Sequence, residues 1–272
     1  MRLPAWLAHH VAALRALLVL TVILGLAYPL LFVGVGKLPG MSGRAGGSLV
    51  TVGNQTVGSG LIGQSFTDAD GNPVPEYFQS RPSAGSHDPT ATGAGNLGPE
   101  DVVDTPDRPS LLTQVCARSL AIGKAEGVDG RRPYCTGDGV GAVLAVFYRD
   151  GFTGPVTRVV SVNQAGAPFI SSYEGVAVES AEIGEDYRAL GGVITPIRGD
   201  APAHPVVPAD AVTASGSGLD PEISGRYAEL QAARVARERG VTLDHVRELI
   251  KGNTEHGVVN VLRLNIALDN GN

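Results

Sequence analysis

The stretch ALLVLTVILGLAYPLLFVGVG, residues 16–36, holds no formally charged side chain across the 21 positions between Arg15 and Lys37. At about 1.5 Å rise per residue, a helix of that length covers roughly 30 Å, the hydrocarbon thickness of a bilayer. The stretch therefore predicts a transmembrane helix over 16–37, preceded by a short cytoplasmic tail at 1–15. Its apolar run exceeds the roughly 7–15 residues of a secretory signal's core, which favours an anchor that stays in place. Gly34 and Gly36 supply small residues near its end, so the alternative is an exported soluble binding protein or enzyme released by signal cleavage.

Inside the span, Pro29 has no backbone N–H and is expected to kink the helix, leaving a carbonyl that neighbouring groups must satisfy in a bilayer. Gly25 and Gly34 would let another helix approach closely. Gly and Pro are also commoner in membrane helices at large, so a partner-packed helix and a lipid-facing one both stay open. Basic residues do not decide the orientation, because Arg2 and Arg15 precede the span while Lys37 and Arg44 follow it. All 27 acidic residues lie beyond Lys37, where they outnumber the 18 remaining bases. So negative a body repels phosphates, which argues against nucleic acid as a partner. A short tail ahead of the span and an acidic, Gly-rich body behind it predict a single-pass cell-membrane protein, N-terminus inside, with its main domain at 38–272 extracytoplasmic. Cys116 and Cys135 agree with an oxidising compartment, where a bond between them would close a loop worth about 3 kcal/mol. The sequence alone leaves them free or bonded.

The body is expected to be a loop-rich α+β domain, because aromatics make up only 5% of the chain while it holds 37 Gly and 18 Pro. From Ser48, SLVTVGNQTVGSGLIGQSF reads as a hairpin turning near Gly53-Asn54. Residues 67–109 show no lasting periodicity, and a loop of that length is expected to be functional or disordered. Ser110 is placed to cap an amphipathic helix over SLLTQVCARSLAIG. The runs AVLAVFYRD, VTRVVSVN, APFISSY and GVAVESAEI predict a small antiparallel sheet through about Ile197. Ser224 and Thr242 are expected to cap two helices, ended by Gly240 and near Gly252-Asn253. The last run, VVNVLRLNIALD, fits a helix after Asn260 or a strand.

No GxxxxGK[ST] loop, HExxH helix or GxSxG elbow occurs, and no Cys/His spacing suggests a metal. The histidines are scattered; His87-Asp88 in the long loop has the chemistry to hold a proton or a metal, but the pair is expected to be solvated. The Gly/Ser loop from Thr213 through Ser215 and Ser217 to Asp220 has the composition of an anion nest, though with no Lys after it. A tight turn whose hydroxyls cap the next helix is the favoured reading. Arg81, next to Pro82-Ser83, either meets an acidic partner or braces its own loop.

Leu26-Ala27-Tyr28-Pro29-Leu30, Gly47-Ser48-Leu49, Leu61 to Phe66 with Gln64, Tyr77 to Ala84, Asn96-Leu97-Gly98-Pro99, Val212 to Pro221, Gln231 with Arg234-Val235-Ala236, and Val259 through Asn265 to Asp269 follow one another in an order that resembles the C subunit of the potassium-transporting Kdp-type ATPase, the KdpC family. The resemblance covers about 17–112 and 206–269, leaving a β-rich insertion at about 113–205 that carries both cysteines. Gly225 stands where the family often has Pro. The resemblance implies an accessory subunit of the high-affinity ATP-driven potassium uptake complex, with no catalysis and no cofactor of its own. ATP and potassium would act at the level of the complex. The partners implied are a channel-like potassium-translocating subunit, a P-type ATPase subunit and a small single-span subunit. The membrane interface would comprise Gly25, Tyr28, Pro29 and Gly34, with polar loop contacts at Gln64, Arg81, Ser83, Thr213, Ser215, Ser217 and Asp220. The family is also described as a catalytic chaperone that raises the ATPase subunit's affinity for ATP. A domain outside the membrane cannot touch ATP bound inside, so assembly and a role at the outer potassium entrance are expected instead.

Overall fold

The computed structural model describes residues 4–163, 166–182 and 184–271. Arg2 of the orientation argument and Ile183 of the last strand run lie outside them. The chain divides into two compact units, Met1–Leu61 and Ile62–Asn272.

The first unit begins with helix α1, Ala5–Gly36, 32 residues long and unburied by the rest of the chain. It starts directly after Pro4, whose extended backbone precedes the first turn. The expected tail at 1–15 is therefore helical from Ala5. Absence of charge marks the stretch that can lie in hydrocarbon, whereas helix propensity carries the backbone further through Ala, Leu and His. At 1.5 Å per residue α1 is about 48 Å long, well beyond the core of a bilayer. Just ahead of Pro29, where a kink is expected, lies a five-residue π segment, Ile23–Ala27. Pro29 lies in the first turn of the α-helical stretch Tyr28–Gly36 that follows. After one turn at Ser42–Ala45 comes the hairpin β1 (Leu49–Val52) and β2 (Gln55–Ser59), paired antiparallel around Gly53, whose φ of 59° suits a tight turn.

The second unit packs helices against two sheets. Helix α2 (Leu111–Glu126) is capped by Ser110, whose hydroxyl accepts from the Thr113 N–H. Strands β3 (Val143–Tyr148), β4 (Val156–Ser161), β5 (Ser172–Tyr173), β6 (Val176–Ser180) and β7 (Val193–Pro196) form one sheet in the order β5-β6-β4-β3-β7. Val143 to Val146 are fully buried in the middle of this sheet. Leu144, Val146 and Val159 face one side, Ala145, Val160 and Tyr187 the other. The sheet is mixed rather than antiparallel, because β4 pairs with β6 in parallel, Val159 opposite Val178. A parallel neighbour needs a crossover, and the chain spends residues 162–175, including β5, on that return.

The carboxyl-terminal part follows the sequence closely. Strand β8 (Glu222–Ser224) leads into α3 (Gly225–Arg239), then come α4 (Leu243–Gly252), β9 (Thr254–Glu255), β10 (Val258–Asn260) and α5 (Val261–Asn270). Ser224, Thr242 and Asn260 accept from the N–H groups of Tyr227, His245 and Arg263, satisfying donors that each first turn leaves open. Gly240 ends α3 at φ 67°, a conformation costly for a residue with a side chain. The last run is both strand and helix, since Val258–Asn260 pairs with β8 and β9 before α5 begins. Tyr227, Ala228, Gln231, Ala232 and Val235 recur at helical spacing on α3 and meet Val246, Val259, Leu264, Leu268 and Phe78 in the main core.

Cys116 on α2 and Cys135 ahead of β3 are joined by a disulfide. The approach there is close, because a Cβ added at Gly130 would fall 2.6 Å from the Ser119 carbonyl on α2. Replacing both cysteines by Ser is expected to lower the unfolding free energy of the purified chain by about 3 kcal/mol, read from denaturant titration. An unchanged midpoint would show that the loop is held by other contacts alone.

Candidate functional site

The segment from Ile62 to Pro109 has almost no regular structure of its own, so its backbone groups must find partners elsewhere. Two fully buried carboxamides supply them. Asn265 on α5 accepts the Phe78 N–H at 2.9 Å and donates to the Phe78 carbonyl at 3.0 Å. Gln231 on α3 does the same for Gln79, at 2.7 and 3.1 Å. Each amide takes the place of a β-strand neighbour for one residue, and the two-sided pattern fixes which end is oxygen. Gln79 turns its own amide onto the carbonyls of Phe66 and Val74, at 3.0 and 3.1 Å.

Arg234, three residues beyond Gln231 on the same helix, extends this network. Its guanidinium donates to Gln231 Oε1 at 2.9 Å, to the carbonyls of Pro75 and Tyr77, and to Glu126 Oε1 at 2.9 Å. The Arg234 and Glu126 side chains are only 7% and 5% exposed. Burial holds the Glu126 carboxyl above the usual carboxylate range, with the Arg234 charge acting against it. Burial likewise pushes the Tyr227 phenol up, helped by Glu126.

A second set of contacts ties the long segment to the Gly/Ser loop. Arg81 meets Asp220 at 2.8 Å and donates to the carbonyls of Thr213 and Ala214. Ser83 donates to the Gly218 carbonyl at 2.6 Å and accepts from the N–H groups of Gly85 and His87. Backbone donors of Gly63 and Gly93 reach the carbonyls of Leu219 and Ser217. Within the loop, the Gly218 and Leu219 N–H groups bond to the hydroxyls of Ser215 and Ser217, and Ser217 donates to Asp220. These donors are occupied inside the turn, which removes two of the groups an anion nest would need. The next helix is capped by Ser224, oriented by Asp210, and not by the loop hydroxyls. Arg81, Ser83, Thr213, Ser215, Ser217 and Asp220 thus gather in one clasp, to which Gln64 lends its carbonyl for Ser80. Gly25, Tyr28, Pro29 and Gly34 lie on α1, where Tyr28 is exposed and packs its ring against Phe32.

His87 differs from expectation. It is only 8% exposed, because residues 86 and 87 both adopt positive φ, 54° and 60°, and turn the imidazole inward. The ring lies over Gly63, where a Cβ would fall 2.6 Å from it and 2.5 Å from the Asp220 carbonyl, so only Gly fits. Its Nδ1 is 3.4 Å from the Ser65 hydroxyl, and its buried Nε2 has no hydrogen-bond partner among the described residues. Burial lowers its pKa below the ordinary imidazole value, with the Asp220 charge partly opposing. Sequence reading missed the burial of His87, the parts played by Gln79 and Glu126, and the clamping role of Gln231 and Asn265. The only hint was that a 43-residue stretch without periodicity must draw its hydrogen bonds from polar side chains elsewhere. Among the described residues, no group of three or more His, Cys, Asp or Glu side chains is placed to hold a metal ion.

An apolar helix long enough to cross a membrane, followed in sequence by an α+β domain built on clamped loops, defines the class: a folded α+β body behind one candidate membrane helix among the described residues. The sequence model for the K+-transporting ATPase c chain, KdpC, matches residues 10–129 and 193–270. The chain belongs to the KdpC family. Potassium-transporting ATPase KdpC subunits of Polynucleobacter asymbioticus and Beijerinckia indica are each 32% identical to it, the matches covering 95% and 97% of this chain and 96% and 94% of theirs. The KdpC subunit of Kineococcus radiotolerans is 33% identical, over 94% of this chain and 90% of its own. The family match includes α2 and β7, so the unmatched stretch, 130–192, is narrower than the expected insertion at 113–205. It contains β3 to β6 and Cys135, whereas Cys116 belongs to the matched part.

Replacing Asn265 with Leu leaves the Phe78 N–H and carbonyl buried without partners and is expected to cost about 2–5 kcal/mol, seen in chemical unfolding. A second expectation concerns pH. Because the folded state depresses the His87 pKa, neutral imidazole is favoured on folding, and this contribution is complete above the unfolded value near 6.5. It is lost as pH falls from there through the lower folded value. His87→Gln should flatten the acid limb of the stability profile, and an unaltered limb would place its cause elsewhere.

Proposed function

We propose that this chain is the non-catalytic, single-span accessory subunit of an ATP-driven potassium uptake complex. Its α1 helix spans the membrane with the amino terminus inside, and its α+β domain stands on the extracytoplasmic side. The observation that carries this reading is the disulfide between Cys116 and Cys135, since such bonds persist in oxidising compartments and are rare in the cytosol. The excess of acidic groups beyond Lys37 agrees with it.

From that placement the partners follow by reach. α1 meets the membrane part of a channel-like potassium-translocating subunit through the face holding Gly25, Tyr28, Pro29 and Gly34. The domain sits over the outer potassium entrance and supports assembly with the P-type ATPase subunit and the small single-span subunit. Arg81, Ser83 and Asp220 spend their polar groups on one another and on neighbouring loops, which favours a docking shape over a catalytic constellation. The subunit binds no cofactor of its own, and ATP and potassium act at the level of the complex. Any effect on ATP affinity travels through the partner subunits, because the domain and the nucleotide lie on opposite sides of the bilayer.

Protease added to intact spheroplasts is expected to degrade the domain while a cytosolic marker survives. Protection until lysis would overturn the placement. Intact mass of the purified chain separates this reading from signal cleavage, since a mature form beginning beyond about residue 36 would have lost the anchor.

A further inference from the structure

The π segment of α1 alters the hydrogen bonding of two consecutive carbonyls. In an α-helix the Leu24 carbonyl takes its bond from residue 28 and the Gly25 carbonyl from residue 29. Here the Tyr28 N–H bonds to the Ile23 carbonyl, one residue further back. Pro29 has no N–H to offer. Leu24 and Gly25 therefore both lose their usual donors, on a stretch of helix whose residues are exposed. Gly25 is exposed, and an added Cβ would have one neighbour within 4 Å, the Thr21 methyl carbon at 3.8 Å. In hydrocarbon no bulk water compensates a carbonyl, so its donor comes from a rearranged turn of the same helix or from a neighbouring one.

We infer that the Leu24–Gly25 step of α1 receives a hydrogen bond from a hydroxyl or carboxamide side chain of a neighbouring transmembrane helix, which approaches over the bare Gly25 surface. The occupant is a membrane helix carrying a polar donor at mid-bilayer depth, because an aliphatic helix or a lipid tail could fill the space but not supply the bond. This rests on the proposed packing of α1 against the pump's membrane subunit and specifies its chemistry. Small residues recur where membrane helices pack closely, and polar side chains hydrogen-bond across such contacts.

The test compares two forms of the full chain, co-expressed with the other pump subunits, that differ by one N–H group. Pro29→Leu restores a backbone donor within reach of the Gly25 carbonyl. Leucic acid at position 29, introduced by nonsense suppression, carries the same side chain on an ester linkage and restores none. Both forms should remain in carbonate-washed membranes. Pro29→Leu is expected to lower recovery of the complex in detergent about three- to tenfold, whereas the ester form recovers it near the native level. Native recovery with Pro29→Leu overturns the inference, and so does equal loss in both forms, which would assign the effect to the proline ring. Gly25→Leu separates the inference from the reading beneath it. If this bulky change breaks the complex while Pro29→Leu does not, only the hydrogen bond is refuted. If neither change matters, the packed interface itself is refuted.

Discussion

The second unit depends on two carboxamides that hold a strandless stretch of backbone. Phe78 and Gln79 are adjacent, and each has both its N–H and its carbonyl bonded to one side chain, Asn265 for the first and Gln231 for the second. A buried backbone group without a partner costs on the order of 1–3 kcal/mol, so these two side chains make it possible to bury a loop. They also set its position to within a hydrogen-bond length of α3 and α5. Phe78 can then enter the main core with no exposed surface. Arg234 and Glu126 extend the arrangement to α2, so that three helices far apart in sequence share one irregular segment.

A loop fixed in this way can carry a second layer of contacts. The Gly/Ser loop lies against residues 63–93 through Arg81, Ser83, Gly63 and Gly93, and its own hydroxyls close the turn. His87 is buried between these layers, where burial holds its pKa below the ordinary imidazole value against the opposing Asp220 charge. The five-stranded sheet leaves this body at α2 and returns at β7. Its attachment is covalent at Cys116–Cys135 and polar at Asn163, which bonds to the carbonyls of Val102 and Gly141 and to the Asp104 N–H.

Local signals in the sequence were strong where one side chain and one backbone donor settle an outcome. Ser110, Ser224 and Thr242 each cap the helix behind them, and Gly240 ends α3. The hairpin turn at Gly53-Asn54 was equally legible, since few residues tolerate positive φ. The parallel pairing of β4 and β6 was not, because strand composition is the same for either direction and only the path of residues 162–175 decides between them. Much of the candidate clasp could be named in advance, but the pairing of Arg81 with Asp220 crosses 139 positions, a separation over which no local pattern reaches.

The sequence by itself determined that one apolar helix of membrane length precedes an acidic α+β body, since charge-free length and period-bearing apolar residues act locally. It also carried the ordered motifs by which the family is recognised. Tertiary structure alone decided that the long aperiodic stretch is buried and clamped, that His87 faces inward, and that Pro29 is accommodated by a π segment. Each of these depends on where a backbone donor or acceptor finds its partner, and that choice is made by segments distant in the chain or by the geometry of a whole turn, not by the residue itself.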